Sequence, residues 1–435
     1  MQAHKAVDRM IHRLGKHQML WRGTPVTGDE LIARFKSDFE GVHFPNRYHA
    51  DRQDNISIMR YFGDGGTSWV FGVWTGNEKT ESLIGLDHIL KVAKTAEEII
   101  NPCARMCIDH DPDLFTVEAK TLAAIDSPYV RRLIHPGTLK GRQFELFEGP
   151  WALEVFPTLE HILAFQADYE PALAACTRYT PEQEKEIAEE YAAYCAELEM
   201  ADEVNRYRGR SFDPSMPILW RSGSVEKDRA EGWKRPTRSV FCYGTAAPWL
   251  LRCCLNAVAD VHDAGFVHRD IKPNNFLIYN QMGPEKWFRL DAVLADFQAA
   301  ARMTQGQYLG PSHGTLNYAS PEVLANCGRD ENDLVPVGPA SDIFMLGLVM
   351  ARIIDPRIAA SQLPSIEARA QRSTLEPAVG RLMGNVGPYR PIFEKCLSFD
   401  PRERYQSTRD VLRDIERVAP FAYEDSLMPQ SSMWE

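Results

Sequence analysis

One short stretch of the chain, His268-Arg269-Asp270-Ile271-Lys272-Pro273-Asn274-Asn275, holds an acid, a cation and an amide at fixed spacing. A carboxylate at Asp270 can take a proton from a hydroxyl. An ammonium two residues on can neutralise a negatively charged group in transit, and an amide oxygen five residues on can help hold a hard cation. Phe276-Leu277-Ile278 follows as a short apolar strand. A second carboxylate, Asp296 in Leu294-Ala295-Asp296-Phe297, ends a strand-like run over residues 288–294, a place suited to a divalent metal ion. Upstream, Phe62-Gly63-Asp64-Gly65-Gly66-Thr67-Ser68-Trp69-Val70-Phe71 sets a glycine-rich turn between two strand-like segments, and glycines let the backbone come close to a ligand. His88-Ile89-Leu90-Lys91-Val92-Ala93 alternates like a strand around a lysine. Together these residue types suit positioning and charge neutralisation in phosphoryl transfer.

The octet resembles the H-R-D-x-K-P-x-N catalytic loop of eukaryotic-type serine/threonine protein kinases. The resemblance implies that Asp270 orients the substrate hydroxyl or accepts its proton, and that Lys272 neutralises charge on the moving phosphoryl group. Asn275 and Asp296 then hold Mg²⁺. Leu294-Ala295-Asp296-Phe297 resembles the family's Asp-Phe-Gly site, with Gln298 where the family has Gly. Glycine reaches positive φ at little cost, so Gln298 is expected to restrict flipping of the Asp-Phe pair and to alter regulation. Residues 298–313 suit a mobile loop. Gly314-Thr315-Leu316-Asn317-Tyr318-Ala319-Ser320-Pro321-Glu322 resembles G-T-x-x-Y-x-A-P-E, with Ser320 in place of Ala. The family pattern then implies that Thr315 bonds near the catalytic Asp and Lys, that Glu322 pairs with Arg404, and that Asp342 braces the catalytic-loop backbone. Arg269 beside the catalytic Asp suggests control by loop phosphorylation, with Thr304, Tyr308 and Ser312 as acceptors. An unmodified solvated loop is the competing reading.

The same resemblance puts Gly63 and Gly65 in register with the nucleotide-covering loop, with Ser68 at the third glycine position. It implies that Val70 packs on the adenine and that Lys91 contacts the α- and β-phosphates. Lys91 then needs a carboxylate from the next helix. Asp111-Pro112 looks like a cap and first turn, and Glu118 is the expected partner. Lys94 and Glu98 are the competitors. Trp151-Ala152-Leu153-Glu154-Val155-Phe156 looks like a fifth strand and hinge, with Leu153 as gatekeeper and backbone groups of Glu154 and Phe156 on the adenine edge. A shift of one residue, or a plain core strand, are the alternatives there.

The implied fold is α+β: a bilobal protein-kinase fold with a β-rich small lobe and a mainly helical large lobe carrying a large insertion. The expected divisions are an N-terminal helical extension (1–55), small lobe (56–157), large lobe (158–419) with an insertion near 164–245, and a C-terminal tail (420–435). The resemblance covers residues 56–156 and 246–419. Helical patterns run over residues 3–17 and 29–39, read either as a docking or autoregulatory segment or as packing on the small lobe. The insertion holds a helix start at Thr180-Pro181-Glu182-Gln183, and is read either as a recruitment element or as surface decoration. An amphipathic helix through Trp249, Leu250, Leu251, Leu255, Val258 and Val261 should lead into the catalytic loop.

With 44% hydrophobic and 25% charged residues, the chain has the balance of a globular protein able to build a sizeable core. A net charge of −11 argues against broad nucleic-acid or anionic-membrane binding and is compatible with a basic peptide. The nine Cys are scattered, with no paired motif for zinc, so reduced thiols and a cytoplasmic or nuclear location are expected. The N-terminus lacks a signal-peptide core, and the longest apolar stretch, residues 343–354, is too short to span a bilayer. The expected activity is ATP- and Mg²⁺-dependent phosphorylation of serine or threonine on a protein substrate, with a regulatory partner at the insertion or N-terminal extension. The alternative is a pseudokinase scaffold that binds partners without turnover. A small-molecule phosphotransferase of related fold fits less well, because such proteins lack the counterparts of Lys272 and the Ser-Pro-Glu segment.

Overall fold

Period-two alternation along residues 53–75, 88–93 and 142–148 gives these segments one apolar face each, and they build a single antiparallel sheet around it. The computed structural model describes residues 19–21, 24–39, 43–45, 53–64, 67–75, 88–99, 114–148, 158–160, 163, 243–281, 289–309, 315–327, 334–355 and 358–418. A small hairpin, β1 (Met19–Trp21) and β2 (Thr24–Val26), precedes helix α1 (Gly28–Phe39). The main sheet comprises β3 (His43–Pro45), β4 (Gln53–Asp64), β5 (Ser68–Thr75), β6 (His88–Ala93), β7 (Leu133–Leu139) and β8 (Arg142–Glu148). Its order is β3-β4-β5-β6-β8-β7.

One face of the sheet carries Ile56, Ile58, Trp69, Phe71, Val73, Leu90, Val92, Phe144 and Leu146, and Leu31, Phe35 and Phe39 of α1 pack into it. Phe35 meets Phe71 at 4.9 Å between ring centroids, and Phe39 meets Phe144 edge-on at 5.4 Å. The helical pattern expected over residues 29–39 is therefore a packing element of the sheet. The boundary expected at residue 55 falls inside β4. The pattern over residues 3–17 lies outside the described residues, as do residues 164–242 of the insertion expected over 164–245, whose last three residues already belong to a helix starting at Tyr243.

Helix α2 (Leu114–Leu122) lies between β6 and β7 in the chain. Beyond the sheet, α3 (Tyr243–Asp263) buries Leu250, Leu251, Leu255, Val258 and Val261 in a core shared with α5 (Pro339–Ile354) and α9 (Thr408–Val418), and α8 (Arg390–Cys396) packs on α5. Almost every residue of α5 is buried. A helix hydrophobic all round can be stable only at the centre of a bundle, and α5 is the centre of this one. Between α3 and α5 run β9 (Phe266–Val267), β10 (Phe276–Gln281), β11 (Arg289–Leu294), β12 (Ala301–Arg302) and α4 (Pro321–Ala325). The helices α6 (Ile366–Arg369) and α7 (Arg372–Leu382) follow α5.

Two joints tie the sheet region to the helical region. Val130 bridges Leu294 in parallel, with Arg131 N donating to Leu294 O at 2.8 Å and Leu294 N donating to Tyr129 O at 2.8 Å. Phe147 and Leu122 also enter the core built around α3 and α5. The architecture is α+β, with strands first and helices after.

Candidate active site

Directly opposed residues of antiparallel strands point to the same face, and here they form a row. Gly63 lies opposite Val70, Val70 opposite Lys91, and Lys91 opposite Glu145. This face is turned away from α1, because Leu90, Val92, Phe144 and Leu146 of the alternate positions fill the α1 side. Lys91 is 6% exposed. Its Nζ reaches Glu118 Oε2 at 2.6 Å and Asp296 Oδ1 at 3.0 Å. Burial alone would lower the Lys91 ammonium, but Asp296, Glu118 and Glu145 together outweigh it and raise its pKa. Burial would likewise raise the Asp296 carboxyl; Lys91 and Lys272 overcome this and hold it below the ordinary carboxylate range. Its side chain remains 41% exposed, open to a ligand.

The rival residues of this row are engaged elsewhere. Lys94 Nζ sits over the Trp69 ring at 4.3 Å from its centroid. Glu98 takes a two-pronged pair from Arg142, both contacts at 2.6 Å, and a bond from Trp69 Nε1 at 3.3 Å.

Hairpin geometry brings the second half of the site to this row. β10 and β11 pair antiparallel from Phe276↔Leu294 to Gln281↔Arg289. The residue before β10 and those just after β11 therefore share one end of the hairpin. Asn275 and Asp296 are these residues, and Ala295 N donates to Asn275 O at 2.8 Å. Asp296 has φ 63°. A left-handed conformation at a non-glycine residue costs about 1–3 kcal/mol and persists where its surroundings hold it. The Lys91 contact and the bond from Phe297 N to Glu118 Oε1, at 3.1 Å, supply that hold.

Asp270, 8% exposed, lies at the centre of a hydrogen-bonded cluster. Its Oδ2 accepts from Lys272 Nζ at 2.7 Å and Asn275 Nδ2 at 3.0 Å, and its Oδ1 accepts from Thr315 N at 2.6 Å. Lys272 Nζ also donates to Thr315 Oγ1 at 2.6 Å. Asn275 Nδ2 bonds Asp270 O at 2.8 Å as well, which leaves the amide oxygen as the group able to meet a cation.

The loop carrying these groups is held from beneath. Fully buried Asp342 on α5 accepts from His268 N at 2.7 Å and Arg269 N at 2.8 Å, and its Oδ2 lies 2.9 Å from His262 Nε2. Burial works against the Asp342 carboxylate, yet these partners keep its pKa low. Arg269, with φ 67°, is thus secured through its own N–H. His268 Nε2 faces Ala295 O at 3.2 Å, and its Nδ1 accepts from Asp270 N at 3.3 Å. A carbonyl can only accept, so Nε2 carries the proton. Burial lowers the imidazole pKa, in keeping with this neutral tautomer.

The following segment has its own anchors. Glu322 and Arg404 form a buried two-pronged pair at 2.8 and 2.9 Å, with Ser341 Oγ donating to Glu322 Oε1 at 2.5 Å. Arg369, 1% exposed, binds the carbonyls of Ala319, Leu316 (2.7 Å) and Pro364 (3.0 Å). Arg352 joins Tyr318 Oη at 2.6 Å to Glu160 at 2.5 and 2.9 Å. Arg269 Nε donates to Ala299 O at 2.6 Å, and its guanidinium lies over the Tyr308 ring at 4.2 Å. Ser312, another expected phosphate acceptor, lies outside the described residues.

Residues 235–413 match the protein kinase domain family. The calcium/calmodulin-dependent protein kinase cmkB of Emericella nidulans is 30% identical over 179 residues, spanning 40% of this chain and 41% of that protein. The serine/threonine-protein kinase PknF of Mycobacterium tuberculosis is 29% identical over 169 residues, 37% of this chain and 33% of the relative. Over residues 235–413 the chain is similar to serine/threonine protein kinases. The matched stretch spans about two fifths or less of these two relatives' length. The match takes in Asp270, Lys272, Asn275, Asp296, Glu322, Asp342 and Arg404. Lys91 and Glu118 lie upstream of it and are placed by geometry.

Val70 and the backbone of Gly63 lie in the Lys91 row, whereas Gly65, Glu154 and Phe156 lie outside the described residues. The strand beside β6 is Arg142–Glu148, which places Glu145, not singled out in the sequence, next to Lys91. Glu145 is fully buried, and neither carboxylate oxygen has a hydrogen-bond donor. Its register opposite Lys91 was the available signal, but an acid between Phe144 and Leu146 reads as a solvent-facing residue.

Proposed function

We propose that this chain is an ATP- and Mg²⁺-dependent kinase acting on serine or threonine hydroxyls of a protein substrate. The observation that carries the reading is the convergence of Lys91, Glu118 and Asp296 in one ion cluster, joined through Asn275 to Asp270 and Lys272. In this reading the sheet region and the helical region are the small and large lobes, with an insertion over residues 164–245. The adenine lies by Val70, Glu154 and Phe156, under the turn of Gly63 and Gly65.

The donor set suits Mg²⁺. Asp296 and the Asn275 amide oxygen are hard oxygen ligands side by side, and among the described residues no group of three or more His, Cys, Asp or Glu forms an all-protein cage. Mg²⁺ is ordinarily held by one or two protein oxygens with substrate phosphates completing its shell. When bound, it would neutralise charge on the phosphates.

The chain's own groups do the rest. Lys91, braced by Glu118, meets the anionic phosphates as a fixed cation. Asp270 receives the hydroxyl hydrogen of the attacking serine or threonine. Lys272 stands beside it to offset charge on the transferred group, and Thr315 fixes both. Asp342 holds the loop backbone so that little reorganisation is needed.

The test is transfer of ³²P from γ-labelled ATP to generic basic proteins by the full chain with Mg²⁺, followed by phosphoamino-acid analysis. Label on serine or threonine is expected. Tight nucleotide binding with no label transfer would overturn turnover and favour the scaffold reading, which the Gln298 and Ser68 departures support.

A further inference from the structure

The glycine-rich turn and the metal-side segment are joined by a contact that glycine at position 298 could not make. Thr67 Oγ1 donates to Gln298 Oε1 at 2.7 Å, across 231 positions of sequence. Both ends are themselves fixed. Thr67 O accepts from Lys94 N at 2.9 Å, which registers it to the end of the strand carrying Lys91. Gln298 sits in the 3₁₀ turn Phe297–Ala299, whose first N–H is held by Glu118. The contact therefore spans from the β4–β5 hairpin to the residues just after Asp296.

The other end of the amide sharpens the point. Gln298 Nε2 is shut off from water and has no hydrogen-bond partner. An unmet buried donor is unfavourable, so a free glutamine would turn its amide toward solvent. The Thr67 bond is the interaction that holds it inward.

We propose that Gln298 is a positioning residue that clasps Thr67, just before β5, to the segment after Asp296 and so slows the release of a bound nucleotide. The inference rests on the nucleotide reading above. With the clasp made, Thr67 and the Asp296 segment move as one, and nucleotide leaves only when the bond opens. Neither partner titrates, so the effect is independent of pH between 6 and 8.

The experiment is stopped-flow release of a fluorescent ADP analogue from the full chain with Mg²⁺. Thr67→Val and Gln298→Met should each release nucleotide ~3- to 10-fold faster, the range expected for one hydrogen bond between neutral groups. The double variant should be no faster than either single one, and Thr67→Ser, which keeps the hydroxyl, should retain the wild-type rate. Wild-type release from Thr67→Val, or effects that multiply in the double variant, would overturn the clasp. Failure of the wild-type chain to bind nucleotide at all would overturn the nucleotide reading, and the clasp with it.

Discussion

Replacing Glu145 with Gln tests the electrostatics of the Lys91 row without removing any of its paired charges. Glu145 is completely buried, and its carboxylate oxygens lack donors. Burial first, and then the neighbouring charge of Glu118, push its carboxyl up from 4.5 to about 10, against the opposing pull of Lys91 and Arg131. The folded value thus lies above the unfolded one. Between these pH values the native chain keeps a proton that the unfolded chain has released. Stability from this group is fully present below pH ~4.5 and is lost as pH rises toward about 10, at ~1.4 kcal/mol per pH unit. From pH 6 to 8 the loss is therefore on the order of 3 kcal/mol. Gln cannot titrate and fills nearly the same space, so Glu145→Gln should gain that amount relative to wild type over the same interval. Urea unfolding of both chains at pH 6, 7 and 8 measures it. Parallel stability-versus-pH lines for the two chains would refute the protonated, buried acid.

Further expectations concern the anchors. Arg404→Ala should destabilise the chain by ~3–5 kcal/mol, because it leaves the Glu322 carboxylate buried without its partner; thermal or urea unfolding checks this. Asp342→Asn should slow turnover by ~10²-fold while nucleotide affinity stays near wild type, since the loop backbone loses its carboxylate support and the Lys91 cluster does not; steady-state kinetics beside nucleotide titration separate the two.

Much of the candidate site was legible in the sequence because its spacing is local. Asp270, Lys272 and Asn275 sit within six residues, and the strand after them pairs with the strand before Asp296. Alternation around Lys91 was equally plain, and β6 runs over His88–Ala93 as expected. What stayed hidden depended on contacts between distant segments. The strand Arg142–Glu148 has only Phe144 and Leu146 to mark its alternation, too short a signal to stand out beside residues 151–156, which lie outside the described residues. The role of residues 28–39 as a cover for the sheet needed the matching faces of Phe71 and Phe144. Gln298 was visible as a departure from Gly, but its partner Thr67 was not, since nothing in local spacing links them.

Asp270→Asn tests the central claim most directly, because it keeps the side-chain shape and the Lys91 cluster and removes the carboxylate proposed to meet the attacking hydroxyl. Turnover of labelled ATP should fall by ~10²–10⁴-fold, with nucleotide dissociation constant and unfolding midpoint close to wild type. Near-normal turnover by the folded variant would contradict the assignment of Asp270 and the mechanism built on it.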